Sequence, residues 1–176
     1  MRVWAIGATS ERAHEKVLSR DCDLAIVTLS PQVHSPLRAE HLWPDPLYFV
    51  LGIDHPLSTE KNIDLPRLAA EPAILPDLNT FTGRLVKECF DQRGLALNIS
   101  MATNYLETIK MMVSVGLGWS VLPATLVDEQ MRVIRIPDVR ISRRLGVIYH
   151  ERKTMSNAAK AFFDLLQAHR TDKKIK

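Results

Sequence analysis

Short apolar runs alternate with amphipathic segments along nearly the whole of this chain, and that alternation most restricts how it can fold. Asp23 to Val27, Leu47 to Leu51, Ala73 to Leu75, Trp119 to Leu122, Val133 to Ile136 and Leu145 to Tyr149 each have strand length. Val3 to Ile6 is a further run of the same kind. Single strands separated by helices imply a largely parallel α/β sheet covered on both faces. Residues 31–46 contain four prolines and no clear period, so they read as an excursion loop.

The helices announce themselves by caps and stripes. Thr9 or Ser10 can cap a first helix bearing Ala13, Val17 and Leu18. Asp64 caps a short one that Pro66 tolerates in its first turn and Pro72 ends. Thr82 is the expected cap of a helix with the stripe Leu85, Val86, Cys89 and Phe90, stopped by Gly94. Thr103 or Asn104 caps the next; with Asn104 as cap, Glu107 completes a capping box. Ser156 opens the last, with Ala159, Phe162, Phe163 and Leu166 on one face.

Composition excludes several classes. With 176 residues, 46% hydrophobic and 24% charged, the chain has the makings of one large domain or two small lobes. Two cysteines cannot form a disulfide framework, and they fit a reducing compartment. The charge-free stretch from Met111 to Val127 is too short and too often interrupted to span a bilayer. The opening Met1 to Gly7 lacks the apolar core of a secretory signal, so a cytoplasmic chain is expected, without membrane contact. A net charge of +3 and the run of basic residues from Arg132 to Lys153 raise nucleic-acid contact, but the total is weak for backbone binding.

The familiar catalytic signatures are absent. The six histidines show no HExxH spacing, there is no CxxC, and no P-loop, G-x-S-x-G or G-x-G-x-x-G occurs. No metal, no cofactor and no catalytic residue is therefore assigned. Cys89 lies on a helical stripe and reads as an inert core thiol.

The positive signal is hydroxyl-bearing residues at helix starts and at one strand end. Thr80, Thr82 and Gly83 open one helix, Thr103 and Asn104 open another, and Thr28 closes the strand 23–27. A helix N-terminus offers unsatisfied N–H groups and partial positive charge, which suits an anion. Ordinary capping explains any one of these threonines better than ligand binding does, and only their convergence on one cleft would reverse that. These six are the candidate ligand-binding residues.

Asp23 to Val27, Leu47-Tyr-Phe-Val-Leu-Gly-Ile-Asp-His-Pro-Leu57, Ile63 to Leu68, Met112-Val-Ser-Val-Gly-Leu-Gly-Trp-Ser-Val-Leu-Pro123 and the closing strand and helix come in a telling order. In this order and spacing, from about residue 3 to residue 167, the chain resembles the effector domain of LysR-type transcriptional regulators. The resemblance implies a type II periplasmic-binding-protein-like α/β fold: two Rossmann-like lobes joined by two crossover strands, with a small-molecule cleft between them. Lobe I would be 1–72 with 150–170, lobe II 73–149, and 171–176 a basic tail, with hinges near Ile74-Leu75 and Ile148-Tyr149. It also implies an effector-sensing and dimerising role in transcription. The effector would be a small anion, an amino acid or a sulfur metabolite, since Thr28 and Thr82 to Arg84 look most like the subgroup regulating sulfur assimilation. The expected assembly is a homodimer or higher oligomer, with DNA met only through an N-terminal domain absent from this chain.

By the same resemblance, the family's first strand and helix have no counterpart in this sequence, which leaves the Val3 to Ile6 strand expected to be displaced, paired with another chain or poorly ordered. Two further functions stay open on the same fold. One is a solute-binding protein of a transport system. The other is an enzyme, for which Glu107, Asp77 and His55 are the acid–base groups near the proposed loops.

Overall fold

The computed structural model describes residues 10–170. In chain order these form α1 (Ser10–Leu18), β1 (Leu24–Thr28), β2 (Leu37–Gly52), α2 (Leu65–Ala70), β3 (Ala73–Leu75), α3 (Phe81–Asp91), β4 (Ile99–Ala102), α4 (Leu106–Ser114), β5 (Ser120–Pro123), β6 (Met131–Ile134), β7 (Ile141–His150) and α5 (Asn157–Ala168). Single 3-10 turns occupy Pro56–Thr59 and Ala124–Leu126. The expected Val3 to Ile6 strand lies outside the described residues. Among them, no helix is long and apolar enough to cross a membrane.

The chain divides into two compact units, residues 1–44 with 143–176 and residues 45–142. The divisions fall inside β2 and β7, after Pro44 and after Ser142, rather than at 72/73 and 149/150. Ile74 and Leu75 lie well inside the second unit, and Ile148 and Tyr149 inside the first, so neither pair marks a crossing. The reason is strand length. β2 starts at Leu37, within the segment expected to be an excursion loop, and passes Pro44 and Pro46 just ahead of its ladder at Leu47–Val50.

In the first unit β7 pairs antiparallel with β1, from Leu24 opposite Tyr149 to Thr28 opposite Leu145. The two-residue period of β7 then sorts its side chains. Ile148 packs with Val17, Val27 and Leu37, on the face that includes α1. Val147 packs with Leu42 and Leu166, and Phe162 and Phe163 of α5 join from the margin. Gly146 admits the backbone of β2, since a Cβ there would stand 2.4 Å from the Glu40 carbonyl oxygen.

A polar clasp ties the start of β1 to the start of α5. Asp23 accepts from the Ser156 hydroxyl at 2.7 Å and from the Ser156 N–H at 3.2 Å, and pairs with Lys153 at 2.8 Å. The Lys153 hydrogen bond first, and Ser156 second, pull the Asp23 carboxyl down from 3.8 to about 2. A carboxyl whose folded value is lowered stabilises the fold above its unfolded value and loses that contribution as pH falls through the folded one. Acid unfolding between about pH 4 and pH 2 should therefore lose on the order of 1 kcal/mol here, after allowing for solvent screening. Asp23→Asn should flatten that limb of the stability–pH curve, read by urea titration at each pH; an unchanged limb would refute the clasp.

In the second unit the end of β2 lies between β5 (Leu47 opposite Pro123) and β6 (Gly52 opposite Met131), both antiparallel. β3 and β4 pair in parallel, and Trp119 bridges Ala73 in parallel. The largely parallel sheet expected from the alternation is thus corrected. The ladders of β1 with β7 and of β2 with β5 and β6 all run antiparallel, and none joins strands consecutive in the chain. Phe49 and Leu51 of β2 face Val86 and Phe90 of α3 together with Trp119, while Val50 faces Ile109 and Val113 of α4. Asp64 caps α2 as expected, accepting from the Arg67 N–H at 2.9 Å.

Candidate functional site

Five of the six candidate residues lie in the second unit, at the ends of β3 and β4. The cap of α3 is Thr80 rather than Thr82. The Thr80 hydroxyl accepts from the Gly83 N–H at 3.1 Å and donates to the Asp77 carbonyl at 2.7 Å. Thr82 stands inside the first helical turn, buried at 8% exposure. The shift of two residues follows from the loop 77–80, which folds back as an Asx turn with the Asn79 N–H on the Asp77 carboxylate at 2.8 Å. That loop rests on Gly83, where a Cβ would meet the Asp77 carbonyl oxygen at 2.1 Å.

The second helix start is built differently from the expectation as well. Tyr105, not Asn104, occupies the cap of α4 and makes no side-chain cap bond, so no capping box forms with Glu107. Asn104 is used elsewhere: its Oδ1 accepts from the Asp77 N–H at 3.0 Å. Thr103 is anchored by its N–H on the Leu75 carbonyl at 3.0 Å. Its hydroxyl accepts from the Tyr105 N–H at 3.4 Å. Asp77 therefore joins the two helix starts, with Thr80 and Gly83 on one side and Asn104 on the other.

Thr28 belongs to the first unit, where it is buried and donates its N–H to the Ser10 hydroxyl at 3.1 Å. Two residues near α3 carry weight that spacing alone did not reveal. Asp77 organises the loop, a role foreshadowed only by the turn-forming run Pro76 to Asn79. Arg84 lies with its guanidinium 4.6 Å from the Phe81 ring centre and donates to the Asn79 carbonyl, placing a full positive charge beside the positive end of the α3 dipole.

Two of the three groups considered for acid–base chemistry, Asp77 and His55, have structural work. The Asp77 carboxylate closes its own turn, and His55 Nδ1 accepts from the Leu57 N–H at 3.1 Å. Much of the basic run is also engaged internally. Arg132 donates to the carbonyls of Leu57, Ser58 and Glu60, and Lys153 pairs with Asp23. Burial pushes the Cys89 thiol up, in keeping with a core position on α3.

Helix-flanked strands in two units, with β2 and β7 carrying the chain from one to the other, define an α/β binding-protein fold of the type II periplasmic kind. The chain belongs to the LysR substrate binding domain family, whose model matches residues 3–171. Curated relatives are regulators. It is 32% identical over 160 residues to the RuBisCO operon transcriptional regulator of Acidithiobacillus ferrooxidans, covering 88% of this chain and 52% of that protein. It is 30% identical over 144 residues to the HTH-type transcriptional activator CmpR of Synechocystis sp., covering 79% of this chain and 47% of that one. The chain thus spans about half the length of the curated relatives it matches. Among solved structures, the CcmR regulatory domain of Synechocystis PCC6803 in complex with 2-PG superimposes with a TM-score of 0.80 at 26% identity, covering 94% of this chain and 82% of that chain. The effector binding domain of QuiR in complex with shikimate shares the fold at a TM-score of 0.81 and 22% identity, over 96% of this chain and 81% of the other.

Proposed function

We propose that this chain is the effector-sensing part of a cytoplasmic LysR-type transcription regulator, acting as a homodimer or higher oligomer. Its effector is a small anion or an amino-acid or sulfur metabolite, held by Thr80, Thr82, Gly83, Thr103 and Asn104. Thr28 joins the set through the family resemblance alone. The observation that carries this reading is the meeting of two helix starts on Asp77, in a family whose members are regulators. The α3 dipole and Arg84 favour negative charge at that place. The similar CcmR domain, solved in complex with 2-PG, supports a small-molecule occupant. Binding shifts the population of domain or dimer geometries, and an attached DNA-binding domain reads that shift.

A thermal-shift screen of small anions, sulfur metabolites and amino acids tests it. A ligand at a hundred times its Kd stabilises by about 2.7 kcal/mol, which raises Tm by about 5–10 °C in a domain of this size. Thr82→Ala should abolish that shift, measured against the variant's own Tm without ligand. A hit whose shift survives Thr82→Ala would move the site elsewhere, and turnover of the hit would replace the sensor with an enzyme.

A further inference from the structure

The Asp54-His-Pro-Leu57 turn is a sequence motif that effector binding leaves unexplained. His55 is 5% exposed and caps the 3-10 turn Pro56–Thr59, its Nδ1 accepting from the Leu57 N–H at 3.1 Å. Its backbone is held on both sides, by its N–H on the Gly52 carbonyl at 3.1 Å and by the Ser58 N–H on its own carbonyl at 2.7 Å. Arg132 of β6 grips the same turn from beyond, donating to Leu57, Ser58 and Glu60 carbonyls. Because Arg132 lies opposite Leu51 in the β2–β6 ladder, the turn locks the end of that ladder.

An imidazole nitrogen that accepts a hydrogen bond carries no proton, so this arrangement requires the tautomer protonated at Nε2. A second proton, taken from solvent onto Nδ1, would set an N–H against the Leu57 N–H. The bond is then lost and two donors face each other in a buried place. We propose that the turn 54–60 is a proton-sensitive latch, closed by neutral His55 and opened when Nδ1 is protonated, releasing the carbonyls that Arg132 holds.

The charged groups around it are consistent with this assignment. Burial is the largest influence on His55 and lowers it from 6.5; Glu71 of α2 opposes that effect, and Arg67 of α2 adds to it. Glu60, at the end of the turn, and Glu71 are both paired with Arg67, which offsets their pull on a histidine proton. Arg132 brings a further positive charge to the same carbonyls. With the closed state's value lowered, stability from the latch is present above pH 6.5 and is lost as pH falls through the closed-state value.

Amide hydrogen exchange on the 176-residue chain, read at Leu57, tests the proposal. Opening that takes up one proton, from an open state with the ordinary value of 6.5, lowers the protection factor by up to about fivefold between pH 6.5 and pH 5.5. His55→Asn keeps a side-chain acceptor for the turn but cannot titrate, so its protection factor should stay flat over that range. Nitrogen-15 NMR of the ring should show Nδ1 unprotonated at pH 7.5 and a midpoint below 6.5. Equal loss of protection in His55→Asn, a flat profile in the parent, or a ring midpoint at or above 6.5 would each overturn the latch.

Discussion

Replacing Trp119 by alanine should destabilise the chain by about 3–5 kcal/mol, a large share of the 5–15 kcal/mol typical of a whole domain. Trp119 is fully buried, stacked on Phe90 at 5.5 Å between ring centres and 21° between planes, and lies 6.0 Å from Phe49. The alanine variant would leave a cavity bordered by two aromatic rings, which a β-strand and a helix cannot both collapse to fill. The indole also donates from Nε1 to the Glu71 carbonyl at 3.2 Å, and the same residue's backbone bonds Pro72 and Ile74. Trp119→Phe keeps most of the apolar volume and gives up only that side-chain hydrogen bond and part of the stack. It should therefore lose about half as much or less. Urea midpoints of the three proteins measure this directly; an alanine variant within about 1 kcal/mol of the parent would mean that the aromatic cluster is not the centre of this unit's core.

Gly83→Ala is the second large effect, and its sign runs against helix propensity. In an exposed helix interior alanine is better than glycine by about 1 kcal/mol. Here the new methyl would meet backbone atoms only, the Asp77 carbonyl oxygen at 2.1 Å and Leu78 Cα at 2.8 Å. Backbone cannot rotate away as a side chain can, so the loop 77–80 must lift from α3. Overpacking of this kind costs about 1–3 kcal/mol, enough to outweigh the propensity gain. The loop that would lift also holds Asn104 through the Asp77 N–H and Thr80 through the Asp77 carbonyl. The variant should therefore lose both stability and the effector-dependent Tm shift. Gly83→Ala as stable as the parent and fully responsive to effector would show that the close approach of loop and helix is dispensable.

These two positions differ in how readable they were. Trp119 sits in a strand-length run between Gly118 and Pro123, and burial of such a run follows from hydropathy alone. Gly83 invited attention as a residue that admits close backbone approach, but the partner that approaches, Asp77, is named by no local rule. The caps show the same limit. Asp64 and Ser156 cap α2 and α5 as their positions suggest, each accepting from the N–H three residues on, and the Ser156 hydroxyl does so while also donating to Asp23. Asn104 has the right chemistry to cap α4, yet Asp77, 27 residues earlier, presents an N–H that takes its oxygen. Thr82 likewise yields the cap to Thr80, because the Asx turn at Asp77 brings Thr80 to the helix start.

What the amino-acid order determined by itself is most of the inventory of elements, β4 excepted: where apolar period changes from two to three or four, and where proline, glycine and capping residues stop each run. Those are interactions between residues a few positions apart, so they are legible in one dimension. Strand direction, the length of β2 back to Leu37, the crossing of the chain between units after Pro44 and Ser142, and the joining of Thr80 and Asn104 through Asp77 were decided only by the tertiary structure. Each depends on which distant backbone groups stand opposite one another. Burial enforces those pairings, since an unpaired buried amide costs about 1–3 kcal/mol, but local sequence does not name the partner.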